Sequence, residues 1–168
     1  GQYEEAFGLY TEYLASQPDD LDILYARSLV AERLDRLDIA ESDLQTILKR
    51  EPDNVRALNA LGYTLANRTT RYHEAFGYIE KAYKQTPNDP AVMDSMGWVL
   101  FRLGRYADAR TLLQKAYNET GDAEIAAHLG EVMWVMGDKQ LARALWEDVR
   151  KKSPEDPVLE DTVRRLDR

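Results

Sequence analysis

The sequence has no cysteine and two histidines among its 168 residues. The first shortage removes structural disulfides, thiolate zinc sites and cysteine nucleophiles, and it names no compartment. The second leaves little for a metal or catalytic centre. His73 stands beside Glu74, and His128 precedes Glu131 by three residues. A zinc-protease helix needs His-Glu-x-x-His to set two ligands and a base on one face. His128-Leu129-Gly130-Glu131 lacks the second histidine. There is no phosphate-binding glycine loop and no Gly-x-Ser-x-Gly elbow. The acid pairs Glu4-Glu5, Asp19-Asp20 and Glu155-Asp156 fall at expected helix starts, where the macrodipole favours anions. No catalytic residue, no metal and no cofactor is expected, and the chain is not read as an enzyme.

Two further shortages narrow the classes. No run approaches the roughly 18 apolar residues of a membrane-spanning helix, and no signal peptide is visible. Cationic clusters are equally scarce. The net charge is −8 with a pI near 4.9, and the short runs Arg150-Lys151-Lys152 and Arg164-Arg165 are flanked by acids. A nucleic-acid binder gains affinity by neutralising phosphates, so that class is excluded. Phenylalanine is sparse as well, at 3 residues against 10 tyrosines. Tyrosine combines an apolar body with a polar tip, which suits a surface both wet and adhesive.

What is present is a repeat. Ala6–Tyr10–Pro18 recurs as Ala40–Leu44–Pro52, as Ala75–Ile79–Pro87, as Ala109–Leu113 with Gly121 in the proline position, and as Ala142–Trp146–Pro154. The alanines stand 34, 35, 34 and 33 residues apart. A second set interleaves: Leu58-x-x-Leu61-Gly62-x-x-Leu65, Met93-x-x-Met96-Gly97-x-x-Leu100 and Ala126-x-x-Leu129-Gly130-x-x-Met133. Apolar residues at three-and-four spacing predict two helices per repeat. Glycine in mid-helix costs about 0.5–1 kcal/mol against alanine. The recurrence of Gly62, Gly97 and Gly130 therefore predicts a close crossing of the first helix with the second. Ala40, Ala75, Ala109 and Ala142 are expected to face them. Gly104 and Gly137 supply tight turns, and the prolines end each second helix.

Together these sets resemble the tetratricopeptide pattern. The resemblance implies an all-α, right-handed solenoid of antiparallel helix pairs that binds proteins without catalysis. The expected organisation is a second helix over residues 1–18, repeats over 19–52, 53–87, 88–121 and 122–154, and a capping helix over 155–168. Ser28 stands for the packing glycine of the 19–52 repeat and Asp35 for its turn glycine. The turn Asn67–Arg71 is one residue longer than its counterparts. Residues 2–16 read as half of a repeat, so the chain reads as a piece of a longer one. Phe7, Tyr10 and Leu14 are expected on a face left uncovered there, which makes a second copy of the chain an alternative partner.

In the family the first helix of each repeat lines a concave groove. Carried over position by position, the groove residues are Tyr25, Asn59, Tyr63, Asp94, Trp98, Phe101, Arg102, Glu131 and Trp134. The Lys/Asn clamp by which some family members hold a carboxylate is absent at the corresponding positions. The expected ligand is an apolar or amphipathic segment of a partner protein, with basic residues to meet Asp94 and Glu131. Trp98 and Trp134 have a second reading as packing residues between neighbouring first helices. The runs around Gly62, Gly97 and Gly130 are similar to the C-terminal repeats of bacterial tetratricopeptide lipoproteins. One such protein is an adaptor for a carboxy-terminal processing protease. That likeness implies a periplasmic chain anchored to the outer membrane through upstream sequence, and a protease or its substrates as partner. A cytoplasmic location is the alternative, as is an architectural stack whose recognition surface lies in other repeats.

Overall fold

The computed structural model describes residues 1–167. Ten helices are found among them, arranged in two compact units, Gly1–Gln85 and Thr86–Arg168. The first unit holds α1 (Gln2–Ser16), α2 (Leu21–Arg33), α3 (Leu37–Arg50), α4 (Val55–Arg68) and α5 (Tyr72–Gln85). The second holds α6 (Pro90–Arg102), α7 (Tyr106–Thr120), α8 (Ala123–Val135), α9 (Lys139–Lys152) and α10 (Pro157–Leu166). Hairpins form from α2/α3, α4/α5, α6/α7 and α8/α9. In the first unit α2 also packs on α1 and α4, and in the second α8 packs on α6, α7 and α10.

Local chemistry sets the boundaries. Asp20, Asn54, Asp89, Asp122 and Asp156 cap α2, α4, α6, α8 and α10, each side chain accepting from a backbone N–H in the first turn. Such a cap contributes about 0.5–2 kcal/mol over alanine. The second helices α3, α7 and α9 have no side-chain cap. They begin after tight turns in which Asp35, Gly104 and Gly137 adopt φ of 60°, 78° and 97°. Glycine takes that backbone freely, whereas Asp35 holds it at some strain. The longer turn after α4 is closed by Thr69 instead. Its hydroxyl donates to the Leu65 carbonyl at 2.6 Å and accepts from the Arg71 amide at 3.0 Å.

The hairpin cores form where the sequence placed them. Ala40, Ala75, Ala109 and Ala142 are fully buried. A Cβ on Gly62 would meet Ile79 and lie 2.9 Å from the Ala75 carbonyl oxygen, and one on Gly97 would lie 2.6 Å from Leu113 Cγ. On Gly130 it would overlap the indole of Trp146. Ser28, also buried, donates its hydroxyl to the Tyr25 carbonyl at 2.7 Å.

One expectation about α1 is corrected. Leu14 is buried and Phe7 and Tyr10 are half-buried, because α1 packs on α2 and the Arg36 guanidinium lies 4.3 Å above the Phe7 ring. The apolar residues of α1 left in solvent are Tyr3, Leu9 and Tyr13.

Two glycines of one hairpin give a paired test. Gly77 of α5 is exposed, and a Cβ there would meet nothing within 4 Å. Gly77→Ala should stabilise the protein by about 0.5–1 kcal/mol through helix propensity. Gly62→Ala should instead cost about 1–3 kcal/mol by overpacking the crossing. Urea denaturation of both variants reads the difference, and equal effects would contradict the close crossing.

Candidate functional site

The first helices carry the expected groove residues, and each unit uses them differently. In the second unit Asp94 of α6 and His128 of α8 are both buried, with the carboxylate Oδ1 2.9 Å from the imidazole Nδ1. Trp98 stacks on the His128 ring at 4.3 Å between centroids, and Phe101 stacks on Trp98 at 5.1 Å. The Arg102 guanidinium lies 5.9 Å from the centre of the Trp98 ring. One repeat further, Arg165 of α10 donates to both oxygens of the buried Glu131 at 2.9 and 2.6 Å. Two more arginine pairs hold α10 against α9: Arg150 with Glu160 and Arg143 with Asp167, each with a contact of 2.6 Å.

Asp94, Trp98 and Glu131 are therefore not open groove contacts, and the expectation for them is corrected. Trp98 is 4% exposed. It fills the space between neighbouring first helices, while the two acids are engaged by His128 and Arg165 one repeat downstream. Trp134 is half-buried against Trp146 of α9 at 5.7 Å, with Lys139 and Arg143 over its ring at 4.8 and 5.1 Å. Phe101 and Arg102 are half-buried beside Trp98.

The first unit divides its three candidates. Arg56 of α4 pairs with Asp22 of α2 at 2.7 Å and places its guanidinium 4.8 Å from the Tyr25 ring centre. Tyr25 lines a polar cleft of about 210 Å³ with Asp20, Asp22, Glu51, Asn54 and Arg56. Tyr63 lines a different groove, of about 280 Å³, with Tyr3, Leu29, Val30, Ala60 and Thr64, and with Glu32 and Arg33 at its edge. Asn59 is half-buried, one helical turn before Tyr63, and its Oδ1 atom is buried. Leu29, 44% exposed, holds the same repeat position as Tyr63 and lines this groove with it. Tyr3, Val30, Ala60 and Thr64 are the lining residues that sequence reasoning did not single out.

A second signal also lay in the sequence. Asp22–Arg56, Asp94–His128 and Glu131–Arg165 are each separated by 34 residues, one repeat length. Acid in one repeat faces base in the next, so these inner positions join first helix to first helix. Among the described residues no group of three or more His, Cys, Asp and Glu side chains could hold a metal ion, and no helix is long and apolar enough to cross a membrane.

Comparison with known proteins follows the repeat. The family described as Tetratricopeptide repeat matches residues 25–90 and 95–157, and the chain belongs to it. The TPR repeat-containing protein PA4667 of Pseudomonas aeruginosa is 52% identical over 130 residues, covering 77% of this chain and 22% of that protein. Protein O-mannosyl-transferase TMTC1 of Homo sapiens is 24% identical over 176 residues, covering 100% of this chain and 20% of that protein. The chain thus spans about a fifth of the length of these curated relatives. Among solved structures, the thermophilic TPR protein TTC0263 of Thermus thermophilus matches with a TM-score of 0.84 at 22% identity, covering 99% of this chain and 91% of that one. MamA of Desulfovibrio magneticus matches with a TM-score of 0.69 at 20% identity, covering 93% and 89%. The fold is the tetratricopeptide solenoid of antiparallel helix pairs. A protein of this fold is a scaffold for protein–protein interaction.

The buried His128 is expected to make the stability of the second unit depend on pH. Burial alone would push its pKa down, but the Asp94 carboxylate, by charge and by hydrogen bond, outweighs burial with help from Glu124 and Glu131, and the net shift is upward. A histidine in the unfolded chain titrates near about 6.5. The contribution of His128 is then fully present below that pH and is lost as pH rises through the higher folded value. Thermal melting should show stability falling with rising pH above about 6.5, and His128→Gln should flatten that dependence while lowering Tm at pH 6. The other histidine, His73, is exposed. An unchanged slope in the variant would contradict the assignment.

Proposed function

We propose that this chain is a non-enzymatic binding scaffold that receives a partner protein in the groove formed by α1, α2 and α4 of the first unit. The observation that carries the reading is the exposed apolar floor of that groove. Leu29 and Tyr3 stand in solvent beside Val30, Ala60 and Tyr63, whereas the aromatic residues at the inner positions of the second unit are engaged with one another. Apolar side chains presented at a rigid concavity are typical anchors for a partner segment. A narrower form of the proposal makes the partner a carboxy-terminal processing protease or its substrates, in the periplasm beneath the outer membrane. Its support is the likeness of the runs around Gly62, Gly97 and Gly130 to the adaptor lipoproteins.

A second reading, self-association through α1, is favoured by the exposure of Tyr3, Leu9 and Tyr13. Sedimentation of the wild type and of Leu9→Glu separates it from the first. A concentration-dependent dimer that the substitution abolishes would favour self-association.

The groove is tested at Leu29. Leu29→Asp should leave Tm within a degree or two, since exposed substitutions change stability by about 0.5 kcal/mol or less. The same change should weaken capture of the protein's partner about tenfold or more. Trp98→Ala should do the reverse in kind, costing about 3–5 kcal/mol of stability as a core truncation. A Leu29→Asp variant that captures its partner as well as the wild type would overturn the proposal.

A further inference from the structure

We infer that the groove of the first unit selects an apolar partner segment carrying an acidic side chain, which pairs with Arg33. The inference rests on the reading of that groove as the binding surface and adds the chemistry of what it accepts. In sequence, Asp94 and Glu131 pointed to a basic ligand. In the structure both carboxylates are buried and answered internally, by His128 and Arg165, so neither calls for a cation from a partner.

The balance at the groove itself runs the other way. Glu32, whose side chain is 14% exposed, is held by Arg68 at 3.0 Å, and the same Arg68 holds Asp35 at 2.5 Å. Glu32, which lines the groove, is thereby engaged by Arg68 at closer range than by Arg33. Arg33 is bound far more loosely. Its side chain is 49% exposed and its guanidinium stands 3.9 Å from Glu32, beyond hydrogen-bonding distance. A guanidinium presents a planar fork of donors that matches a carboxylate. Here it does so beside Leu29, Val30 and Tyr3, where apolar neighbours lower the local dielectric and strengthen the pair.

Size and charge together define the occupant. A space of about 280 Å³ with an apolar floor takes a large aliphatic or aromatic side chain. A lysine or arginine beside that side chain would face Arg33 with Glu32 already committed, and like charges across an interface are unfavourable. At longer range the chain's net charge of −8 repels acidic segments. Only a segment whose apolar side chain seats in the groove brings its carboxylate within reach of Arg33, so the pairing confers selectivity.

The test uses a library of random peptides displayed without free carboxyl ends, selected on the full chain and on two variants, Arg33→Glu and Leu29→Asp, whose folding is checked by thermal melting. The wild type should enrich peptides with a large apolar residue and an Asp or Glu within a few positions of it. Arg33→Glu should enrich Lys or Arg at that place, and Leu29→Asp should enrich neither. For an enriched peptide, amidated at its end, Glu→Gln should weaken binding to the wild type about tenfold and leave binding to Arg33→Gln nearly unchanged. Enrichment of apolar peptides without acid preference would overturn the charge inference and leave the groove reading standing. No enrichment above Leu29→Asp would overturn both. Two other occupants would also overturn it. One is binding that requires a free chain-terminal carboxylate. The other is a wild-type dimer in sedimentation that Leu29→Asp abolishes.

Discussion

The close crossing of the first and second helix in each hairpin is the constraint on which the rest depends. Gly62, Gly97 and Gly130 leave no room for a methyl group, and Ala75, Ala109 and Ala142 are fully buried. A repeat cannot bury its own apolar face alone, so each hairpin must be covered by its neighbour. With the second helices drawn in so tightly, the first helices of a unit come side by side, α2 on α4 and α6 on α8. Residues 34 apart then meet across that seam, as Asp22 meets Arg56 and Asp94 meets His128.

That geometry decides which inner residues remain available. A polar or aromatic residue on a first helix either reaches its counterpart one repeat away or stays open to a partner. In the second unit Asp94, Trp98 and Glu131 are drawn into such contacts, and α10 with its arginine pairs continues the pattern. In the first unit Leu29 has no such polar contact to make, and an apolar groove remains around it. One repeat architecture thus yields a braced unit and one with an open apolar surface.

Fold and site were not equally legible in the sequence. The hairpins were readable because glycine and alanine at the crossing recur with the period, and because prolines close the second helices. Asp35 in the turn position was readable for the same reason. The site was harder, since position within a repeat says which way a side chain points and not what it meets there. Trp98 and Trp134 occupy groove positions yet find ring partners in His128 and Trp146. Arg165, noted in the sequence only as part of a short cationic run, pairs with Glu131 through both carboxylate oxygens. The pairings could have been sought by matching opposite charges one repeat apart. Nothing in the period alone marked Arg33 as loosely held, because that depends on Arg68 engaging both Glu32 and Asp35.

Inner-face polar residues of the second unit join one repeat to the next. A double-mutant cycle between Asp94 and His128 tests it most directly, with Asp94→Asn, His128→Gln and the double variant compared by urea denaturation at pH 6. Residues that share a buried pair show coupling of about 0.5–3 kcal/mol, and the account predicts a favourable coupling of at least about 1 kcal/mol here. Additivity within about 0.3–0.5 kcal/mol, the behaviour of independent sites, would contradict it.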